Sequence, residues 1–216
     1  MQSESSTFEQ YKIKHQQMNR QITYPLEFEF KIMALSPQFY VRDASGQEIA
    51  YVKQKLFKLK EDISVFADES QSSILYKIKA SQWIDWSASY MFTDASGKNL
   101  GKMGRKGARS LWKATYEIFD EHDAFEFKIE EDNAFVKIMD GLFSEVPILG
   151  FFTGYVFNPK YNIYRKDGTK IAEFTKDASF LGKKFKLHQH GNFDIQEEER
   201  IILSLIMMVF LERSRG

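Results

Sequence analysis

The sequence predicts a soluble, mainly β domain in which antiparallel hairpins surround an apolar helix close to the C-terminus. Two observations lead to this fold class. Pairs of short strands joined by polar turns recur along most of the chain, and residues 201–211 form its only long apolar run, broken by one serine. Hydrophobic residues are 43% of the 216, enough for a substantial core, and β barrels of this length often form one domain. We therefore expect a polar N-terminal segment over residues 1–21 and a single domain over 22–216.

The clearest strand is predicted over residues 26–32, where apolar and charged side chains alternate strictly. Such alternation places one face of a strand in the core and the other in water. Five further strand–turn–strand units begin at Tyr40, Val65, Tyr90, Tyr116 and Tyr161. Two of their turns read Asp-Ala-Ser-Gly and end at Gly46 and Gly97; Asp bonds its own backbone and Gly allows the positive φ of a short hairpin loop. Repeated hairpins of this kind predict an antiparallel meander.

The C-terminal helix is predicted from its start signal and its composition. Asp194 is a good N-cap, and Glu197 three residues later completes a capping box. The following residues, 201–211, are apolar around the whole helix, so other elements must surround it. A sheet that closes around the helix meets this requirement. Another, shorter helix is predicted within residues 132–144, where apolar residues have helical spacing.

Composition and charge exclude several classes of function. Lys plus Arg and Asp plus Glu are both 30, so a net charge of zero argues against bulk electrostatic binding of nucleic acid. Without cysteine there are no disulfides, thiolate metal sites or cysteine nucleophiles, which fits the reducing cytoplasm. The N-terminal residues lack a signal-peptide pattern, and the apolar run is far shorter than the roughly 20 residues that span a bilayer. We expect a cytoplasmic location, peripheral at the membrane, and no transmembrane segment.

The order of elements resembles a known superfamily. The repeated hairpins, the strand end at 52–55, the strand at 180–185 and the apolar C-terminal helix are similar to tubby C-terminal-like proteins, over about residues 26–213. The nearer branches are the phospholipid scramblases and the LURP-one-related proteins. The resemblance implies a closed antiparallel barrel of about twelve strands around a central helix. It also implies binding of anionic phospholipid or phosphoinositide head groups, with lipid scrambling as a remote alternative.

The first candidate site is basic and lies within residues 98–113, which contain no acidic residue. Its cations are Lys98, Lys102, Arg105, Lys106, Arg109 and Lys113. Lysine and arginine side chains with nearby backbone amides hold phosphate groups, so this segment is a candidate for binding anionic head groups. The alternative is a solvated strand end and loop whose charges balance acids elsewhere in the protein.

The second candidate is the apolar segment 142–152. Its large side chains are Leu142, Phe143, Ile148, Leu149, Phe151 and Phe152. An exposed apolar segment of this size would dip into a membrane or meet a protein partner. The alternative is a plug packed across one end of the barrel.

No pattern predicts a metal, a cofactor or catalysis. His188 and His190 share a strand face with Lys184 and Lys186, whose charges oppose a bound cation. The segment 120–123, with three acidic residues and one histidine, lacks the glycine and the spaced bidentate glutamate of a calcium loop, so it predicts a hairpin turn. Nucleophile-elbow, P-loop and dinucleotide motifs are missing as well, and we expect a non-enzymatic protein.

Overall fold

The computed structural model describes residues 22–31, 36–54, 62–81, 89–106, 115–132, 160–177 and 184–213. Within these ranges the chain forms twelve β-strands and then one α-helix. The strands are β1 (Leu26–Phe30), β2 (Gln38–Arg42), β3 (Glu48–Gln54), β4 (Asp62–Phe66), β5 (Ile74–Ala80), β6 (Ser89–Asp94), β7 (Asn99–Lys106), β8 (Thr115–Phe119), β9 (Phe125–Glu131), β10 (Lys160–Arg165), β11 (Lys170–Lys176) and β12 (Lys184–Gln189). The helix α1 is Ile195–Arg213.

The twelve strands form one closed antiparallel barrel in which each strand pairs with its neighbours in sequence. β1 closes the barrel by pairing with β12, so that Phe28 lies opposite Phe185. The predicted fold class is therefore confirmed. The first strand is shorter than predicted, since β1 ends at Phe30. Of the strand predicted at 180–185, only the last two residues lie in the described part of the chain, at the start of β12.

Four of the hairpin turns share one geometry, in which the fourth turn residue has a positive φ. The angle is 82° at Gly46, 87° at Gly97, 86° at Gly168 and 65° at Asp123. In the first turn, the amide of Gly46 donates to the carbonyl of Asp43 at 2.9 Å. The Asp43 carboxylate also accepts the amides of Ser45 and Gln47, at 2.9 and 3.0 Å. The interpretation of Asp-Ala-Ser-Gly as a tight hairpin turn is confirmed.

A β-bulge follows the turn in each of five hairpins. One residue of the second strand has no partner in the ladder, and these residues are Ile49, Leu75, Leu100, Glu126 and Ile171. A bulge bends the strand and changes the direction of the extra side chain. Four of the five extra residues are apolar, and Glu126 is the exception.

Helix α1 fills the barrel and supplies much of its core. Its residues 203–210 are all buried, and the Phe210 ring lies 5.2 Å from that of Phe39 and 6.4 Å from that of Phe30, centroid to centroid. The predicted capping box is confirmed: the Glu197 amide donates to Asp194 Oδ1 at 2.8 Å, and the Asp194 amide donates to Glu197 Oε2 at 2.9 Å. The helix is thus surrounded on every side, as its composition requires.

The first turn of α1 is fastened to the barrel wall by hydrogen bonds and an ion pair. Arg165 binds both carboxylate oxygens of Glu197. The hydroxyl of Tyr24 donates to Glu198 at 2.6 Å, and the hydroxyl of Tyr76 donates to Glu199 at 2.8 Å. Burial raises the pKa of Tyr24, and the bond to the Glu198 carboxylate raises it further. These contacts fix the end at which the helix enters the barrel.

Arg200, one turn further on, carries a buried positive charge that no sequence pattern indicates. Only 5% of the residue is exposed. Its guanidinium donates to both carboxylate oxygens of Glu126, at 2.6 and 2.7 Å, and to Glu121 at 3.1 Å. It also reaches the carbonyl of Leu100 at 3.4 Å. Two bulge residues, Leu100 and Glu126, therefore provide acceptors for the last cation before the apolar run.

Candidate functional site

The basic candidate segment begins on the outside of the barrel. Lys98 is exposed in the turn between β6 and β7. Lys102 lies on the outer face of β7, where its ammonium group pairs with Asp123 at 2.8 Å. The same ammonium lies 5.5 Å from the centroid of the Phe119 ring, within range of a cation–π contact.

The rest of this segment does not continue that surface. Arg105 lies opposite Tyr116, a fully buried core residue, and therefore occupies the inner face of β7. Its Nε atom is buried and has no hydrogen-bond partner among the residues that the structure describes. The predicted basic patch contains both Lys102 and Arg105, but residues three apart on a strand point to opposite faces. The backbone of Lys106 ends β7, and Arg109 and Lys113 lie outside the described residues.

Several other predicted features fall on residues that the structure does not describe. The apolar segment 142–152 is one of them, so its proposed role as an interaction surface stays a prediction. The N-terminal segment 1–21 is another. The helix expected within 132–144 lies outside the described residues after Asp132.

The histidine pair and the acidic turn have local partners. His188 lies on the outer face of β12, because Leu187 before it is fully buried, and His190 lies 3.9 Å from Glu173. In the turn after β8, Asp120 accepts the amides of His122 and Ala124, at 2.9 and 2.7 Å. The Ala124 amide holds the pKa of Asp120 below its usual value. Among the described residues, no group of three or more His, Asp or Glu side chains is placed to hold a metal ion.

One surface feature is not anticipated by the sequence analysis: a row of basic and apolar side chains that crosses five strands. Directly paired residues place Lys79 of β5 beside Met91 of β6, and Met91 beside Lys102 of β7. The ladder continues from Lys102 to Phe119 of β8 and from there to Phe125 of β9. The next pairs of the same ladders, Ile78 with Phe92 and Met103 with Ile118, are fully buried. The five residues therefore share the outer face, and we call them the outer row.

The outer row combines exposed positive charge with exposed apolar surface. Met91 is 41% exposed and is one of two large hydrophobic residues classed as exposed in the described part of the chain. Phe119 and Phe125 are half-buried and contact each other edge to face, with centroids 6.0 Å apart. Lys79 is exposed, and no ion pair joins it to a side chain that the structure describes. Beyond Lys79 the ladder reaches Asp62 of β4, where the row ends.

A closed barrel of twelve antiparallel strands around a central helix defines the structural class of this protein. The family model described as LURP-one-related matches residues 48–210 of the chain. The match covers more than half of the chain, so the protein belongs to the LURP-one-related family, part of the tubby-like superfamily. No curated protein matches the sequence. Within the described residues, no helix has both the length and the apolar character needed to cross a bilayer.

Proposed function

We propose that this protein is a non-enzymatic module that binds the surface of membranes containing anionic phospholipids, using the outer row. The observation that carries the proposal is the interleaving of charge and apolar surface from Lys79 through Met91 and Lys102 to Phe119. An apolar patch with adjacent lysines is the composition of a surface that lies in the head-group region of a bilayer. Neither component alone would favour a membrane over a protein partner.

The two components contribute in different ways. Each lysine near an anionic bilayer contributes about 1 kcal/mol, and this attraction weakens with salt. Met91 and the two phenylalanines add apolar burial, which salt does not screen. The negatively charged cytoplasmic leaflet is the surface that this combination favours. Lys98, exposed in the neighbouring turn, would add to the positive field.

Reversing the charge of the row tests the proposal. We expect Lys79→Glu/Lys102→Glu to weaken binding to phosphatidylserine vesicles by about 30-fold or more, since the attraction of Lys79 is lost and position 102 becomes a second negative charge beside Asp123. The measurement is co-sedimentation with phosphatidylserine and neutral phosphatidylcholine vesicles, each at low and high salt. The wild type should bind only the anionic vesicles, and more weakly at high salt.

A matched control distinguishes the effect of the outer row from the effect of a change in net charge. Lys166→Glu/Lys186→Glu changes the net charge equally on another part of the barrel. Lys186 pairs with Asp177 at 3.0 Å and is 34% exposed, much like Lys102, which is 33% exposed and pairs with Asp123. We expect this control to retain most of the binding. Equal losses in the two double variants, or no binding by the wild type, would overturn the proposal.

A further inference from the structure

Asp123 contacts the central cation of the outer row, and we infer that it acts as an internal competitor that sets which anionic head groups the row accepts. The inference rests on the proposed function. The Asp123 carboxylate already pairs with the Lys102 ammonium, so a head group that binds Lys102 must displace it. The ligand class that meets this condition is a phosphate monoester, which carries more than one negative charge at neutral pH.

The contact is positioned for competition. The Asp123 carboxylate lies 2.8 Å from the Lys102 ammonium, and its side chain is 69% exposed. Exposed ion pairs contribute little to stability, so a ligand displaces this one at small cost. Lys102 also lies over the Phe119 ring, which keeps the ammonium within the row when the carboxylate is displaced.

The backbone at Asp123 indicates that its side chain is not required by the turn. Its φ is 65°, whereas the three other turns of the same geometry have glycine at this position, with φ of 82–87°. Glycine adopts this conformation without the penalty of a side chain, while Asp and Asn tolerate it. The side-chain bonds that hold the turn come from Asp120 instead. The Asp123 carboxylate is directed to Lys102, on the neighbouring strand.

The competition discriminates by charge. A head group with a single net negative charge replaces one carboxylate contact with one similar contact, and it is repelled by the displaced Asp123. A phosphate monoester carries about −1.5 to −2 at pH 7 and retains a net attraction. Phosphatidic acid has such a head group, and phosphatidylserine carries only one net negative charge. We therefore expect the row to prefer phosphatidic acid when the vesicles are matched for total charge.

Asp123→Asn removes the competing charge while keeping a residue that tolerates positive φ. We expect it to raise affinity for phosphatidylserine vesicles by about threefold, the scale of an exposed ion pair, and to reduce the preference for phosphatidic acid. The matched control is Asp177→Asn, which removes the same charge from the pair with Lys186, and it should leave the preference unchanged. Thermal unfolding of each variant checks that the fold is retained.

The outcomes separate the inference from the proposed function. If the wild type and Asp123→Asn bind anionic vesicles with the same preference, the inference is overturned and the membrane-binding function stands. The inference is also overturned if Asp123→Asn and Asp177→Asn change binding equally, because net charge would then explain the gain. Binding by neither protein to any vesicle would overturn both.

Discussion

Replacing Arg200 with methionine is expected to lower the free energy of unfolding by about 3 kcal/mol. Methionine retains apolar volume beside the core but leaves the Glu126 and Glu121 carboxylates without their cation. These side chains are only 20% and 27% exposed, and breaking a buried ion pair from one side costs several kcal/mol. Burial already raises the pKa of Glu126, and Arg200 opposes that effect. Urea unfolding of the full chain measures the loss.

Comparison of the bulges indicates a second substitution that should restore stability to the Arg200→Met variant. The β8–β9 hairpin has Glu126 at its bulge, whereas the four other hairpins have an apolar residue there. The bulge itself therefore does not need a carboxylate. We expect Arg200→Met/Glu126→Leu to recover at least half of the lost stability, because the more deeply buried of the two carboxylates is then removed and only Glu121, 27% exposed, lacks its cation. Arg165→Met is the comparison, with an expected cost of about 1 kcal/mol, since Arg165 is 31% exposed. Equal costs for the two arginines would contradict the conclusion that burial makes the ion pairs of Arg200 more important for stability than that of Arg165.

Replacing Gly101 with alanine is expected to cost about 3–5 kcal/mol, through a clash added to an unfavourable φ. A Cβ atom at this position would lie 2.3 Å from the carbonyl oxygen of Phe119 and 3.0 Å from Cδ of Arg200. The first of these is backbone, which cannot move aside without disturbing the pairing of β7 with β8. The φ of 125° is also one that residues with a side chain rarely adopt.

Gly46→Ala is the matched control for Gly101→Ala. Gly46 also has a positive φ, 82°, but a Cβ atom there would meet nothing within 4 Å. Its expected cost is therefore about 1–2 kcal/mol, from the backbone conformation alone. Thermal and urea unfolding of both variants measure the difference. Similar losses would show that the close approach of β7, β8 and α1 at Gly101 is not what makes that glycine necessary.

The features that the sequence predicted are those encoded locally. The Asp-Ala-Ser-Gly turns, the alternation in β1 and the capping box of α1 each depend on residues a few positions apart. The closed barrel follows because a helix that is apolar on every side needs a wall around it. The resemblance added the number of strands.

The outer row could not be predicted in this way, because cross-strand register is a property of the assembled barrel. Met91 and Lys102 are eleven residues apart and become neighbours only through the turn and bulge between β6 and β7. The same holds for Arg200 and Glu126, since a bulge turns the carboxylate toward the helix. The grouping of Arg105 with Lys102 in one surface patch is wrong for another reason, because the sequence alone could have excluded it. Strand alternation, applied from Lys102 onward, would have placed Arg105 on the inner face.

The most direct test of the outer row as the membrane-binding face is to measure which surface of the barrel enters a bilayer. The chain has no cysteine, so Met91→Cys and Lys166→Cys each give a single site for an environment-sensitive fluorophore. With phosphatidylserine vesicles, we expect a blue shift at position 91 and none at position 166, both of which are exposed in the free protein. A shift at position 166 alone, or equal shifts at the two positions, would contradict the outer row as the membrane face.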